Sequence, residues 1–129
     1  MLSRRSFIAG ALGAALLAGS APGAQADTYL GSYVARISGN DHYASDGYPL
    51  DNAAQVVRQD RANFHRFGTG DAEDDYDPWF GSNKARARLQ SMLEKRGAMS
   101  GGTRRAIMNG NPLIEVQVFS RSVKVRVLR

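Results

Sequence analysis

Two short runs near the C-terminus alternate apolar and polar residues, and they constrain the fold more than any other stretch. Ile114, Val116 and Val118 are separated by Glu115 and Gln117; Val123, Val125 and Val127 are separated by Lys124 and Arg126. Strand side chains point alternately to opposite faces, so this period of two marks half-buried strands. A turn at Ser120-Arg121 folds the runs into an antiparallel hairpin over 113–128. Pairing Val118 with Val123 sets Val116 against Val125 and Ile114 against Val127 on one face. Glu115 then meets Arg126, and Gln117 meets Lys124, on the other. A slip of one residue would spoil both faces at once.

A lone hairpin is not stable in water, so its apolar face needs a cover. Residues 51–67 read as a helix that Asp51 can cap, with Ala53, Ala54, Val57, Phe64 and Phe67 near one face and Asp60 or Arg61 interrupting it. Residues 83–96 read as a second helix capped by Ser82, with Ala85, Leu89, Met92 and Leu93 as its apolar stripe. Residues 103–108 suit a short third helix, stopped by Asn109-Gly110. Residues 28–38 carry Tyr29, Tyr33, Val34 and Ile37 and are a candidate third strand, weakened at Gly31. The expected fold class is α+β, with two or three helices on one face of a small antiparallel sheet. The chain has no cysteine. That removes disulfides, thiolate metal sites and cysteine nucleophiles together.

The N-terminus reads as an address rather than as part of the fold. Arg4, Arg5 and Phe7 precede a short Gly/Ala-rich apolar run, which ends in small residues at Ala24 and Ala26. The run is shorter than the roughly 20 apolar residues that a membrane span needs. Charged start, apolar middle and an A-x-A end are the parts of a cleavable export signal over 1–26, leaving 27–129 as one small domain. The Ser-Arg-Arg-x-Phe-Ile core at 3–8 resembles the twin-arginine (Tat) signal, which directs folded proteins across the bacterial inner membrane. General secretion is the second route, since Ala9-Gly10 stand where the Tat motif often carries a Lys. Either way the resemblance implies a periplasmic or secreted protein that meets the membrane only through its signal, before cleavage.

Net charge is +5, but its distribution matters more. Residues 27–77 hold 4 basic and 10 acidic side chains; residues 78–129 hold 11 basic and 2 acidic. Mutual neutralisation of the two halves is the simpler expectation, and a dipolar surface used in association is the alternative. Lys84, Arg88, Lys95, Arg104, Arg105, Lys124 and Arg126 form a candidate basic face. In an exported protein such a face points to an anionic envelope component or another protein, not to nucleic acid.

Four constellations could carry chemistry or binding. Asp71, Glu73, Asp75 and Asp77 occur at alternate positions, with His65 upstream, and a run of carboxylates supplies the oxygen ligands of Ca²⁺. Tyr76 and Ser82 replace the Gly and Glu of a calcium-binding EF-hand loop, so a looser Ca²⁺ site or an ordinary solvated loop is the expectation. His42 and His65, with Asp41, Asp46, Asp71 or Asp74, could form a Zn²⁺ site, although no local ligand pair marks one. Asp41, His42 and Asp74 would serve a hydrolase of an envelope polymer only if they shared an exposed cleft. Tyr76, Trp79 and Phe80 either stack on a ligand or anchor the acidic loop; burial of Trp favours the anchor. No nucleophile elbow, dinucleotide fingerprint or phosphate loop is present, so no cofactor and no catalytic residue is assigned. The sequence therefore points to an exported, non-catalytic binding or accessory domain, with a metal protein built on 71–77 and a small hydrolase as alternatives.

Overall fold

The computed structural model describes residues 26–129. The expected export signal, Ala26 apart, lies outside the described residues. The rest is an α+β domain. A three-stranded antiparallel sheet in the order β1 (Tyr29–Arg36), β2 (Leu113–Phe119), β3 (Val123–Val127) is joined by three helices: α1 (Ala53–His65), α2 (Asn83–Leu93) and α3 (Gly101–Asn109). No helix among the described residues is long and apolar enough to cross a membrane.

The hairpin has the register that its alternation dictates. Val118 pairs with Val123, Val116 with Val125 and Ile114 with Val127, while Glu115 lies opposite Arg126 and bonds it at 2.7 Å. Asp27 ties down the turn: its carboxylate accepts from the Arg121 N–H at 2.7 Å and from the Ser120 and Ser122 hydroxyls. The candidate strand at 28–38 is β1, three residues shorter, and it pairs with β2 rather than with β3. A bulge between Tyr29 and Gly31 shifts the register there. A side chain at Gly31 would collide with Trp79, whose ring atom lies 2.8 Å from where a Cβ would be. Tyr33, Ala35 and Ile37 continue the apolar face of the sheet, and all three are fully buried beneath the helices.

The helices differ from their expected bounds for local reasons. α1 starts at Ala53 because Asn52, not Asp51, is the cap: its side chain accepts from the Gln55 N–H at 3.0 Å. Asp51 instead donates its N–H to the Gln55 side chain. α2 begins as expected at the Ser82 cap but ends at Leu93, so Lys95 and Arg96 lie beyond it and Gly97 takes a left-handed φ of 91°. α3 starts two residues early because Ser100 caps it, accepting from the Thr103 N–H at 3.1 Å.

The buried face of α1 keeps Ala53, Ala54 and Val57 as expected but departs from expectation toward its C-terminal end. Asp60 and Arg61 lie in the core, whereas Phe64 is only partly buried and Phe67 is 43 % exposed. Apolar periodicity assigns a helix face by hydrophobicity alone, and here buried ion pairs decide it.

Candidate functional site

The acidic loop is built into the sheet. β1 is an edge strand, and the loop after α1 runs along it. Asp75 accepts from the Val34 N–H at 2.9 Å and Asp74 from the Arg36 N–H at 2.8 Å, while the Asp75 N–H returns a bond to the Val34 carbonyl at 2.8 Å. Exposed strand edges invite pairing with other chains, and these carboxylates occupy the edge. Glu73 makes a two-pronged pair with Arg36 at 2.8 and 2.9 Å, which holds its carboxyl below the ordinary range. Asp71 uses its N–H to fix Asp74 at 2.8 Å. The residues expected to gather around Ca²⁺ or Zn²⁺ are thus directed to separate partners. Among the described residues, no group of three or more His, Asp or Glu side chains is arranged to hold a metal ion.

Asp77 is the exception in the loop, since it turns inward and meets His65. Its Oδ2 lies 2.7 Å from His65 Nε2 and 2.8 Å from Arg61 Nη1. Its Oδ1 accepts from the Trp79 and Phe80 N–H groups at 2.9 and 2.7 Å. This shapes a bend rather than the expected helical turn. It seats Phe80 in the core and Trp79 against it, so these two anchor the loop while Tyr76 remains 73 % exposed.

Arg61, fully buried, is the hub beneath. Its guanidinium lies 4.2 Å from the Tyr33 ring centre and 4.5 Å from that of Phe64, and its Nε meets Asp60 at 2.8 Å. Burial pushes the Asp60 carboxyl well above its ordinary value despite Arg61. Burial also acts against the Asp77 anion, yet bonds from Arg61, His65 and the Phe80 N–H hold it below the usual range. Arg61 thus faces two carboxyls shifted in opposite directions, Asp60 upward by burial and Asp77 downward by its hydrogen bonds.

The residues considered for Zn²⁺ or for hydrolysis are spent elsewhere. Both His42 ring nitrogens lie against carbonyl oxygens, Ser38 at 2.9 Å and Ile107 at 2.8 Å. Asp41 is buried and receives the Asn63 amide at 2.8 Å, and Asp74 sits on the β1 edge.

An open cleft of about 390 Å³ lies between α1, α2 and the loop at 44–50. Its notable content is Arg58, Arg66 and Arg86, set among Gln55, Gln59, Asn83 and Gln90. Arg58 donates to Gln90 at 2.9 Å and to Asn83 at 3.2 Å; Arg86, only 3 % exposed, donates to the Phe80 carbonyl at 3.0 Å. Neutral acceptors orient both. Burial first, then the like charges of Arg58 and Arg66, move Arg86 below the ordinary arginine range. Among the described residues none has a carboxylate within 4.0 Å, although Asp46 lines the same cleft.

Comparison with protein-family models, curated proteins and solved structures found no match.

Sequence reasoning passed over this cleft although its signal was present. Gln55, Arg58, Gln59, Ala62 and Arg66 fall at i, i+3, i+4, i+7 and i+11, which is one face of a helix. Asn83, Arg86 and Gln90 fall at i, i+3 and i+7 on the next helix. Each stripe carries Arg with Gln or Asn and no acid. The search for apolar stripes treats such a face as ordinary solvated surface. The expected basic face, by contrast, exposes Lys84, Arg88 and Lys95 to solvent.

Proposed function

We propose that this chain is an exported, non-catalytic binding domain for an anionic component of the cell envelope, held in the cleft between α1 and α2. The observation that carries this reading is the convergence of Arg58, Arg66 and Arg86 on one cleft without a carboxylate partner within 4.0 Å among the described residues. Bringing like charges together lowers stability, most of all around a buried guanidinium such as Arg86. An anion in the cleft relieves that repulsion. Guanidinium forks suit carboxylate and phosphate oxygens, and the amides around them add further donors. The periplasmic or secreted location rests on the Tat-like signal.

The test is the thermal midpoint of the full-length chain against inorganic pyrophosphate, a small multivalent anion. A ligand that binds only the folded state raises the midpoint, by about 2.7 kcal/mol of stability at a hundredfold excess over Kd. The rise is expected for the wild type, reduced severalfold in Arg58→Gln, and kept in a Lys84→Gln/Arg88→Gln variant that removes outward-facing charge instead. Equal losses in both variants would show diffuse attraction to surface charge and would remove the cleft as the site.

A further inference from the structure

The arginine cleft continues into a second one. A cleft of about 370 Å³ opens beside it, and Ser45 and Gln59 line both. Both volumes lie within the about 300–1,000 Å³ usual for ligand pockets. The second cleft differs in chemistry. Tyr43, 50 % exposed, and Phe67, 43 % exposed, give it aromatic walls, and Asn40 and Thr69 give it neutral polar ones. Arg66 joins the two: it lines the first cleft and stands 4.9 Å from the centre of the Phe67 ring, which lines the second.

We infer that the two clefts form one site for an acidic oligosaccharide, with a sugar ring against Tyr43 and Phe67 and its carboxylate or phosphate on Arg58, Arg66 and Arg86. The inference rests on the arginine cleft being an anion site and adds the ligand class. A sugar ring has an apolar C–H face and a rim of hydroxyls. Aromatic rings give the face a large, rigid contact surface. Amides and hydroxyls both donate and accept, as sugar hydroxyls do. The shared floor is held in place: Gln59 donates to Asn63 at 2.9 Å, and Asn63 donates to the buried Asp41 at 2.8 Å. An acidic peptide fits less well. Extended peptides bind by adding to a free sheet edge. Here Asp74 and Asp75 occupy the outer edge of β1, and the Ala98 carbonyl accepts from Val125 on the outer edge of β3.

The experiment is calorimetric titration of the full-length chain with five probes. They are a linear oligogalacturonate, a phosphorylated oligomannose, the unphosphorylated oligomannose as the neutral glycan, a tetraglutamate peptide and inorganic pyrophosphate. At least one acidic glycan is expected to bind about tenfold or more tighter than the neutral glycan, the peptide and pyrophosphate, about 1.4 kcal/mol. The carboxylate and phosphate arms identify the acid group. Tyr43→Ala and Phe67→Ala are expected to weaken the glycan severalfold and leave pyrophosphate unchanged, whereas Arg58→Gln weakens both. Peptide binding as tight as glycan binding, or glycan affinity untouched by both aromatic variants, overturns the inference and leaves the anion cleft standing. Failure of every anion, pyrophosphate included, overturns both.

Discussion

At the residue scale, the decisive side chain is Asp77, because one carboxylate serves two structures. It pairs with the buried Arg61 guanidinium at 2.8 Å and caps the bend that seats Phe80. Breaking a buried pair by removing one partner leaves the other charge uncompensated and costs about 3–5 kcal/mol. Asp77→Ala is therefore expected to lose about that much in urea denaturation. The same carboxyl sets an acid limb. Its folded pKa lies below the ordinary value of 3.8, so its contribution is present above that value and is lost as pH falls through it. Asp60 acts with the opposite sign. It binds its proton more tightly in the fold, so its share of stability is full below the ordinary range and declines as pH rises through its raised value. The difference in stability between wild type and Asp77→Asn, followed from pH 6 to pH 2, isolates the first effect. It should shrink below about pH 4, and a difference constant with pH would refute the assignment.

At the element scale, the acidic loop acts as a side-chain strand on the β1 edge. Asp74 accepts from the Arg36 and Asp71 N–H groups, both at 2.8 Å, joining the strand to the loop. Asp74→Ala removes an acceptor from both and is expected to cost about 1–3 kcal/mol. It also bares part of an edge, so the variant should show more aggregation in light scattering at matched concentration. Unchanged stability would mean that the loop only lies beside the strand. This element also shows what a sequence can and cannot reveal. The β2–β3 register was legible in full, because alternation keeps Val116 and Val125 on the buried face and the short turn at Ser120-Arg121 selects one pairing among those that do. The Ser82 cap was legible because its partner is three residues away. The polar part of the buried face of α1, Asp60 and Arg61, was not. Arg61 is buried because Asp77 waits 16 residues downstream, and no local period announces such a partner. For the same reason the carboxylates at 71–77 resemble a metal loop: those of Asp74 and Asp75 meet the N–H groups of Arg36 and Val34, about 40 residues upstream. The arginine cleft was legible in principle, as two acid-free polar helix faces, and was missed because polar stripes are not usually read as sites.

At the scale of the whole molecule, the two halves of the chain do not neutralise each other as simply as their charges suggest. Among the described residues five arginine–carboxylate pairs form, and only Glu73–Arg129, at 3.3 Å, joins the acidic stretch at 27–77 to the basic one at 78–129. Lys84, Arg88 and Lys95 of the second half stay exposed, with no carboxylate within 4.0 Å among the described residues. The halves are united by the sheet instead. The central strand is β2, near the C-terminus, and β1 pairs with it across the whole domain, Tyr29 against Phe119. The core cannot close until almost the entire chain is available, and with no cysteine it closes without an oxidising compartment. A domain of this kind can complete folding in the cytoplasm, which suits a route that carries folded cargo. Changing Arg4 and Arg5 to Lys together tests the proposed export. In a bacterium with both routes, the wild type is expected in the periplasmic fraction with Asp27 as its first residue, and the double variant in the cytoplasm with its signal uncleaved. Processing of the double variant as efficient as that of the wild type would assign export to general secretion. Wild-type protein found only in the cytoplasm, with Met1 retained, would remove the signal altogether, and with it the argument that the cleft faces envelope polymers.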